Sequence, residues 1–464
     1  MSNDECLKND EIRMPEENRM AKLVWAMDRV SLFRHSDFVI PSKPGIRDFV
    51  ILSEDPVTHS SSALTPWRDQ WLLRPGVTYL NHGSFGPSPK PVIAARQAWI
   101  ERLESDPMDF FVRQMEGHLE DARARLGNLV GTSGENLLFV DNATFGMNIV
   151  AASIPLAAGD EVLATNHEYG AVLRIWRERC QKAGARLVVQ KLPASFVDAE
   201  EVATALFAGA SARTRLIVVS QITSPTALIL PVAEICRRAK ERGVPVCIDG
   251  PHALAAVPIG LDRLGCDYYC ASCHKWLSAP FGSGFLFVHP RWKQSAQPVV
   301  VSWGNSLSGR PRSWQDEFVW SGTRDPSPFL AVPAAIEFLA NLSPESLLDQ
   351  AIENFRSTSH SLVDAARRKI VALTGLEPIG IPPEHWYGTM ITLPLPEWVG
   401  EVEHGHMHPL QAALWDRFQI EVPIVSWNGQ RHIRVSCHLY NDMAGIDRLV
   451  AALDELLKPG APGA

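Results

Sequence analysis

The sequence contains no stretch that approaches the roughly 18 consecutive apolar residues of a membrane-spanning helix. It also lacks a basic excess, since 52 acidic residues outweigh 44 lysines and arginines and leave a formal net charge of -8. Proteins that bind nucleic acid or anionic membranes need a basic face that displaces counterions, so both classes are disfavoured. The first residues form no charged-then-apolar leader, and we therefore expect a cytoplasmic protein.

Nucleotide and metal motifs are missing as well. The chain has no phosphate-loop lysine motif, and no Gly-x-Gly-x-x-Gly follows its first predicted strand. The eight cysteines are scattered singly, apart from Cys270 and Cys273 in a lone CxxC, so we predict reduced core residues. The histidine-rich stretch 404–408 has no acidic or thiol partner at a set spacing, which favours a solvated loop over a metal site.

The pattern of apolar residues divides the 464 residues into three parts. Residues 1–65 show no sustained periodicity, and we expect a poorly ordered or loosely docked extension. From 66 to 342, continuous Val/Ile/Leu runs alternate with amphipathic stretches, which predicts a mainly parallel sheet with helices on both faces. Residues 343–464 begin with a long amphipathic helix, followed by strands and a last helix, which predicts a smaller α+β domain.

The most informative feature is a lysine just after a buried strand. Lys275 follows the apolar-aromatic run 265–270, and Asp249 ends the apolar run 244–248. Ligands of parallel sheets bind where strands end, so the amine and the carboxylate are expected at one site. A buried lysine either pairs with a carboxylate or is kept neutral as a nucleophile that forms a Schiff base. The pair suits pyridoxal phosphate, although a surface lysine beginning a loop is the simpler alternative.

Three further segments can bind an anion, a flat ring or a carboxylate. The stretch 141–146 opens a helix predicted for residues 147–154, and free N–H groups at its start would let Ala143 and Thr144 hold a phosphate, unless Asn142 or Thr144 forms a simple N-cap. The stretch 167–170 lies past a strand end, where a ring can stack on a planar cofactor or be an ordinary loop ring. Arg434, on an otherwise apolar strand, can grip a carboxylate bidentately or form an internal salt bridge.

Seven segments resemble, in order and spacing, those of class V aminotransferase-like pyridoxal-phosphate enzymes. They are 79–86 (Tyr-Leu-Asn-His-Gly-Ser-Phe-Gly), 142–144 (Asn-Ala-Thr), 167–170 (His-Glu-Tyr-Gly), 248–253 (Ile-Asp-Gly-Pro-His-Ala), 272–275 (Ser-Cys-His-Lys), 322–323 (Gly-Thr) and 434–436 (Arg-Val-Ser). The isopenicillin N epimerase-like branch is the most similar one, and cysteine desulfurases and kynureninases are more distant. The resemblance covers about residues 66–457 and implies the fold of type I pyridoxal-phosphate enzymes, with a seven-stranded-type sheet. It also implies that the N-terminal segment of the large domain contributes to the small one.

The resemblance also implies which residues bind the cofactor. Lys275 would carry its aldehyde, Asp249 would pair with its ring nitrogen, and His252 would contact its ring oxygen. The phosphate would be held by Ala143, Thr144, Ser272, His274 and, from the second subunit of a homodimer, Thr323. His167 would stack on the ring. Relatives place His or Asn near the ring where this chain has the stretch 220–224, and we expect Ser224 to contact the cofactor there.

For the substrate, an amino acid or a derivative of one, the resemblance implies two further groups. Arg434 would bind the α-carboxylate, and Tyr169 would serve as an acid nearby. The loop that would border the substrate comprises Asn81, His82 and Gly83. Either Tyr169 or His82 is a candidate for the acid on the face opposite Lys275.

We expect Lys275 to remove the α-proton, after which three outcomes are open. Return of a proton on the other face gives epimerisation, loss of a β-substituent gives lyase chemistry, and protonation at the cofactor gives transamination. We favour epimerase-like chemistry, with a carbon-sulfur β-lyase of the cysteine desulfhydrase or sulfoxide lyase kind as the alternative. No cysteine lies between Cys273 and Cys437, which argues against a persulfide-forming desulfurase.

Two other classes of protein are also conceivable. A protein that binds the cofactor without catalysis is disfavoured, because Lys275, Asp249 and Arg434 occur together. A nicotinamide-dependent α/β enzyme would differ in its visible spectrum, because borohydride would bleach a yellow colour due to pyridoxal phosphate.

Overall fold

The computed structural model describes residues 67–193, 196, 198–342, 347–378, 386–400 and 406–458. The extension predicted for residues 1–65 lies outside these ranges. The strands of the described part are β1 (Thr78–Tyr79), β2 (Leu137–Val140), β3 (Glu161–Thr165), β4 (Arg186–Gln190), β5 (Thr214–Ser220), β6 (Val246–Asp249), β7 (Tyr268–Ser272), β8 (Gly284–Val288), β9 (Met390–Pro394), β10 (Ile420–Glu421), β11 (Ile424–Trp427) and β12 (Gln430–Ser436). Its α-helices are α1 (Lys90–Ser105), α2 (Pro107–Asp109), α3 (Met115–Val130), α4 (Ala143–Ser153), α5 (Gly170–Ala183), α6 (Ala199–Phe207), α7 (Val232–Glu241), α8 (Leu261–Leu264), α9 (Asp316–Val319), α10 (Ser327–Leu330), α11 (Val332–Ala340), α12 (Leu348–Thr374), α13 (Pro409–Phe418) and α14 (Met443–Leu456).

A seven-stranded sheet has the strand order β2-β8-β7-β6-β5-β3-β4. Strand β8 is antiparallel to both of its neighbours, and the other neighbouring pairs are parallel. From β3 to β7, a helix lies between each strand and the next along the chain. This arrangement confirms the predicted mainly parallel sheet.

The side chains of the central strands alternate between hydrophobic clusters on the two faces of the sheet. On β5, Leu216 and Val218 pack in one cluster with residues of α4 and α5, whereas Ile217 and Val219 pack in the other, with residues of α3, α6 and α7. Because both faces are buried, the strands are continuous apolar runs. Polar side chains can then gather at the strand ends, where ligands of such sheets bind.

A smaller antiparallel sheet, with the order β11-β12-β9, contributes with α12 and α14 to a third hydrophobic cluster. Strand β1 pairs in parallel with β10, and Asn81 forms an isolated bridge with Ser436 on β12. The loop after β1 is therefore held beside the strand that carries Arg434. The division into domains at residue 342 stays a prediction.

Local chemistry explains where element boundaries differ from the predicted ones. The helix predicted from residue 147 begins at Ala143, because the Asn142 side chain caps it by accepting a hydrogen bond from the Phe145 N–H at 2.9 Å. The strand predicted from residue 244 begins at Val246, after Pro245, which has no N–H for a sheet ladder.

The structure also bears on what the sequence predicted for the cysteines, for the histidine-rich stretch and for membrane-spanning helices. The seven cysteines of the described part are unpaired and buried. His408, predicted in a solvated loop, is instead buried, because its ring accepts a hydrogen bond from the Leu410 N–H and lies 3.1 Å from the Val399 carbonyl oxygen. Within the ranges given above, no helix has the length and apolar character that a bilayer crossing requires.

Candidate active site

The carboxyl edge of the large sheet brings together the ends of β5, β6 and β7. Ser220 at the end of β5 lies beside Asp249 at the end of β6, and Asp249 lies beside Cys270 on β7. Lys275 follows three residues after β7 ends at Ser272. The parallel register therefore places the carboxylate and the amine at one edge.

A cavity of about 460 Å³ opens at this edge. The predicted site residues that line it are Gly83, Ala143, Thr144, Tyr169, Ser224, Asp249, His252, Ser272, His274, Lys275 and Arg434. Lining residues without a predicted contact role are Ser84, Phe85, Asn142, Val172, Pro251, Pro423 and Val425. Four predicted residues are not among its lining residues, namely Asn81, His82, His167 and Thr323.

The amine of Lys275 lies inside this cavity, with its Nζ 3.1 Å from Nε2 of His252. Burial, reinforced by the nearby Arg434 cation, lowers the pKa of Lys275 to about 7, against the opposing effect of Asp249. Burial, together with the positive charges of Lys275 and Arg434, also holds the pKa of His252 well below its usual value. The structure therefore favours a neutral imidazole beside an amine that can be neutral near pH 7.

Asp249 is buried, and burial raises the pKa of its carboxyl group to about 7, although Lys275 opposes the shift. Among the described residues, its carboxylate accepts no hydrogen bond. The Nδ1 atom of His252 is likewise buried without a partner. Buried polar groups are nearly always satisfied, so the carboxylate of Asp249, which lines the cavity, is a free acceptor for a ligand.

The start of α4 forms an anion cradle on the same cavity. The Ala143 N–H donates to Ser272 Oγ at 3.1 Å, which leaves the hydroxyl proton of Ser272 free for a further acceptor. Thr144 and His274 line the cavity beside them. Burial lowers the pKa of His274 to about 4, so its ring is neutral and can bind an anion only through a hydrogen bond. The N-terminal dipole of α4 adds favourable electrostatics for a phosphate group.

Arg434 is a buried cation with an unusual set of partners. Its Nη1 donates to the carbonyl oxygen and to Oγ of Ser224 at 2.8 and 3.2 Å, and its Nη2 donates to Oγ of Ser84 at 2.6 Å. Its Nε is buried without a partner, and burial lowers the pKa of Arg434 to about 10. In the part of the chain that the structure describes, no carboxylate forms a salt bridge with it. A guanidinium of this kind favours an incoming carboxylate over an internal ion pair.

The residue predicted to stack on the cofactor ring lies behind the cavity wall, and its stacking role stays a prediction. His167 is fully buried and does not line the cavity, because its Nδ1 lies 2.9 Å from Oγ1 of Thr226 and its ring packs at 4.5 Å on the ring of Trp427. Tyr169, two residues further along, lines the cavity at the start of α5. The tyrosine, therefore, is the aromatic residue of this segment that can contact a cofactor ring.

The loop after β1 also differs from the prediction in detail. His82 is fully buried, with Nδ1 2.8 Å from the Tyr440 hydroxyl and Nε2 3.0 Å from the Lys275 carbonyl oxygen. It supports the backbone at Lys275 rather than bordering a substrate, and burial lowers its pKa to about 3. Asn81 donates to Glu421 at 3.3 Å. Of the three predicted loop residues, Gly83 is the one that lines the cavity.

A close approach explains why this loop needs glycine. A Cβ atom on Gly86 would lie 2.7 and 2.8 Å from the carbonyl oxygens of His274 and Lys275. On Gly83, it would lie 2.7 Å from the sulfur of Met390. A larger residue at either position would push the loop away from the lysine, so the glycines keep Ser84 within reach of Arg434.

The sequence analysis missed a second buried acid next to Asp249. Glu168 accepts hydrogen bonds from Oγ1 of Thr165 at 2.6 Å and from Oγ of Ser220 at 2.5 Å. Burial, reinforced by the charge of Asp249, raises the pKa of Glu168 to about 7. Its position directly before the aromatic Tyr169 was the available signal, but nothing in the local pattern distinguishes it from a solvated loop glutamate.

We predict that Glu168→Gln makes the stability of the cofactor-free protein less sensitive to pH. The folded protein holds this proton more tightly than the unfolded chain, so the stabilisation is complete below the usual pKa of 4.5 and is lost as the pH rises through about 7. Between about pH 5 and about pH 8, the variant should lose about 3 kcal/mol less free energy of unfolding than the wild type. Denaturant unfolding measures this difference. Glu178→Gln, an exposed change on α5, is the control, and equal pH profiles for Glu168→Gln and the wild type would contradict the prediction.

The residues present fit pyridoxal phosphate. Asp249 would offer its carboxylate to a protonated ring nitrogen, His252 lines the cavity with a ring that would contact the ring oxygen, and the start of α4 with Ser272 would offer donors to the phosphate. Lys275 offers an amine that burial keeps reactive. The fold and the site together define a pyridoxal-phosphate-dependent enzyme of fold type I.

Comparisons with known proteins agree with this class. The family model for Aminotransferase class-V matches residues 78–449, and the chain belongs to this family. It is 36% identical over 410 residues to isopenicillin N epimerase of Amycolatopsis lactamdurans, covering 85% of this chain and 99% of that enzyme. It is 29% identical over 421 residues to putative L-cysteine desulfhydrase 1 of Oryza sativa subsp. japonica, covering 83% and 84% of the two chains. A lysine mutant of C-DES with glycine covalently linked to the PLP-cofactor has the same fold, with a TM-score of 0.71 and 21% identity over 84% of this chain and all of that one.

Proposed function

We propose that this protein inverts the configuration at the α-carbon of an amino acid or an amino-acid derivative. The observation that carries the proposal is the cavity shared by the amine of Lys275 and the guanidinium of Arg434, which has no acidic partner among the described residues. Lys275 marks the place where the cofactor aldehyde would receive the α-amine, and Arg434 offers a partner to the α-carboxylate of the same molecule. The similarity to isopenicillin N epimerase, which extends over nearly all of that enzyme, supports epimerisation as the outcome.

Lys275 is the residue that moves the α-proton in this proposal. A pKa of about 7 leaves a large fraction of its amine neutral at physiological pH, and the neutral form is the one that accepts a proton. His252, 3.1 Å away, positions the amine without competing for its proton, because burial and nearby cations keep the imidazole neutral. The acidic limb of the pH-rate profile should therefore report the protonation of Lys275.

The other residues bind and orient the substrate. When bound, pyridoxal phosphate supplies the aldehyde that captures the amino group and the ring that withdraws electrons from the α-carbon. Arg434 holds the carboxylate, so that the bond from the α-carbon to its hydrogen keeps a fixed direction. Ser84 and Ser224 hold the guanidinium plane. Tyr169 lines the cavity and is the candidate that returns a proton on the second face.

A carbon-sulfur β-lyase is the second candidate, supported by the similarity to the desulfhydrase from Oryza sativa. Both reactions begin with loss of the α-proton, and they differ in whether a β-substituent then leaves. The lower identity to the desulfhydrase makes it the weaker candidate.

Incubation of the holoenzyme in deuterium oxide distinguishes the candidates. The panel contains L- and D-amino acids, isopenicillin N and L-cysteine, and NMR, chiral chromatography, and pyruvate and sulfide assays follow the products. An epimerase incorporates deuterium at the α-carbon and interconverts the configurations without forming pyruvate. Pyruvate formation without interconversion would identify a lyase. If no compound exchanged its α-proton, the proposal of α-carbon chemistry would be wrong.

We also propose that the enzyme is a homodimer in which Thr323 completes the partner's phosphate site. Thr323 is exposed and does not line the cavity of its own chain. Large apolar residues are exposed elsewhere on the surface, including Val301 at 84% and Trp303 at 70%. An exposed apolar surface of this kind is typical of an interface between subunits.

Subunit mixing tests the shared site. Lys275→Ala and Thr323→Asp are each expected to be inactive as homodimers, the second because a carboxylate would repel the phosphate. After mixing and exchange of subunits, a heterodimer contains one intact site, so activity should recover to about a quarter of the wild-type value if subunits combine at random. Light scattering gives the oligomeric state in parallel. A monomer, or an active Thr323→Asp homodimer, would contradict the shared site.

A further inference from the structure

We propose that the substrate has an uncharged side chain whose first few atoms are apolar. This inference rests on the proposed function, because it assumes that the α-amine goes to the cofactor aldehyde at Lys275 and the α-carboxylate to Arg434. It adds a chemical class of side chain, and it identifies Val425 as a residue that determines specificity.

The first argument is the charge of the cavity wall. Among the described lining residues, Asp249, Lys275 and Arg434 are those with a formal charge. Each already has a role, since Asp249 would pair with the ring nitrogen, Lys275 would move the α-proton, and Arg434 would bind the α-carboxylate. The histidines His252 and His274 are neutral, because burial holds their pKa values below the usual one. A second carboxylate or ammonium on the substrate would therefore be buried without a partner, which is strongly unfavourable.

The second argument is the composition of the wall beside Arg434. The backbone N–H of Arg434 donates a hydrogen bond to the carbonyl oxygen of Pro423 at 3.1 Å. Val425 on β11 pairs with His432 on β12, two residues before Arg434. Both Pro423 and Val425 line the cavity. A carboxylate bound to Arg434 thus brings the neighbouring substrate atoms close to an apolar surface.

The rest of the wall is aromatic or aliphatic. Val172 is buried in the first turn of α5, whereas Phe85 and Tyr169 are 64% and 49% exposed. Thr144 is the third exposed lining residue, but it belongs to the anion cradle, so the far end of a long side chain can leave past the two rings. Charge is therefore excluded near the α-carbon and tolerated at the end of a longer derivative.

Matched pairs of amino acids test the inference on the wild-type holoenzyme. The rate of α-proton exchange in deuterium oxide gives kcat/KM, and the change in cofactor absorbance gives a dissociation constant. Glutamine should exceed glutamate, and norleucine should exceed lysine, each by at least about 10-fold in both quantities, because the charged partner of each pair is desolvated unpaired. In the series alanine, norvaline and norleucine, each methylene should improve kcat/KM about threefold to fourfold.

The outcomes separate this inference from the proposed function. If glutamate matches glutamine and lysine matches norleucine, the side-chain inference is wrong while the α-carbon chemistry stands. If no amino acid exchanges its α-proton, the proposed function itself fails. A flat series from alanine to norleucine would overturn the apolar contact.

A substitution on β11 tests the location of the contact. Val425→Lys supplies the missing cation and should raise the ratio of glutamate to glutamine in kcat/KM by at least about 10-fold. Val189→Lys, at an exposed position on β4 outside the cavity lining, is the matched control with an equal change in charge. An unchanged ratio in a folded, cofactor-binding Val425→Lys protein would overturn the assignment. If that variant does not fold, the wild-type ratios decide the inference on their own.

Discussion

Alanine at position 275 is expected to reduce turnover by at least about 10⁴-fold, because one amine supplies both the attachment point of the cofactor and the base that removes the α-proton. The absorbance band of the covalently held cofactor should disappear as well. The cradle at the start of α4 and the carboxylate of Asp249 remain in this variant, so it should still bind pyridoxal phosphate, reversibly. Absorbance spectra and equilibrium dialysis measure the two effects.

Added primary amines provide a sharper version of this experiment. Methylamine should restore part of the activity of the alanine variant, because the cavity vacated by the side chain admits a small base. Lys240→Ala, a change at an exposed lysine on α7, is the control and should leave spectrum and turnover unchanged. Normal turnover by Lys275→Ala would refute the assignment of the base.

Methionine at position 434 should reduce kcat/KM for α-amino acids by about 10²- to 10³-fold, the range for losing a buried, charge-assisted contact to a carboxylate. The variant should still bind the cofactor, because Arg434 forms hydrogen bonds with Ser84 and Ser224 and with none of the groups assigned to the phosphate, the ring nitrogen or the aldehyde. The same variant should be more stable to denaturant without substrate, since burying a cation that has no acidic partner is costly.

The combination of lower activity and higher stability distinguishes substrate binding from a structural role. Arg434→Lys keeps the charge but loses the planar fork, so it should recover a small part of the activity and none of the gain in stability. Amino-acid amides, which lack the carboxylate, should be processed at similar rates by the wild type and by Arg434→Met. Loss of stability together with activity would show instead that Arg434 holds the fold.

The sequence predicted well those parts of the fold that depend on nearest neighbours. Continuous apolar runs such as 216–219 became strands of the large sheet because both faces of that sheet are buried there. Asp249 and Lys275 were paired correctly at one edge because consecutive parallel strands end at the same side. The anion cradle at Ala143 was also predicted from the local sequence, because a helix that begins directly after a strand end presents free N–H groups there.

The errors at the site arose where a single residue of register decides which side chain faces the cavity. The stretch 167–170 was recognised, but its histidine packs on Trp427 and its tyrosine faces the cavity. His82 was predicted to border the substrate, whereas its Nε2 lies within hydrogen-bonding distance of the backbone carbonyl oxygen of Lys275. In an irregular loop no periodicity predicts direction, because each side chain is oriented by its tertiary contacts.

The amino-acid order alone determined the parallel sheet, the family and the chemistry of the lysine and aspartate pair, because strand ends and helix starts are set by short-range patterns. Only the tertiary structure decided that Arg434 has no acidic partner in the described chain, that Glu168 lies buried beside the end of β5, and that Pro423 and Val425 line the substrate side. These properties depend on contacts between residues far apart in the chain, since Glu168 and Ser220 are 52 positions apart and Arg434 and Ser84 are 350. Burial and the pairing of charges belong to the assembled structure, since no local pattern specifies which distant group removes the water from a side chain.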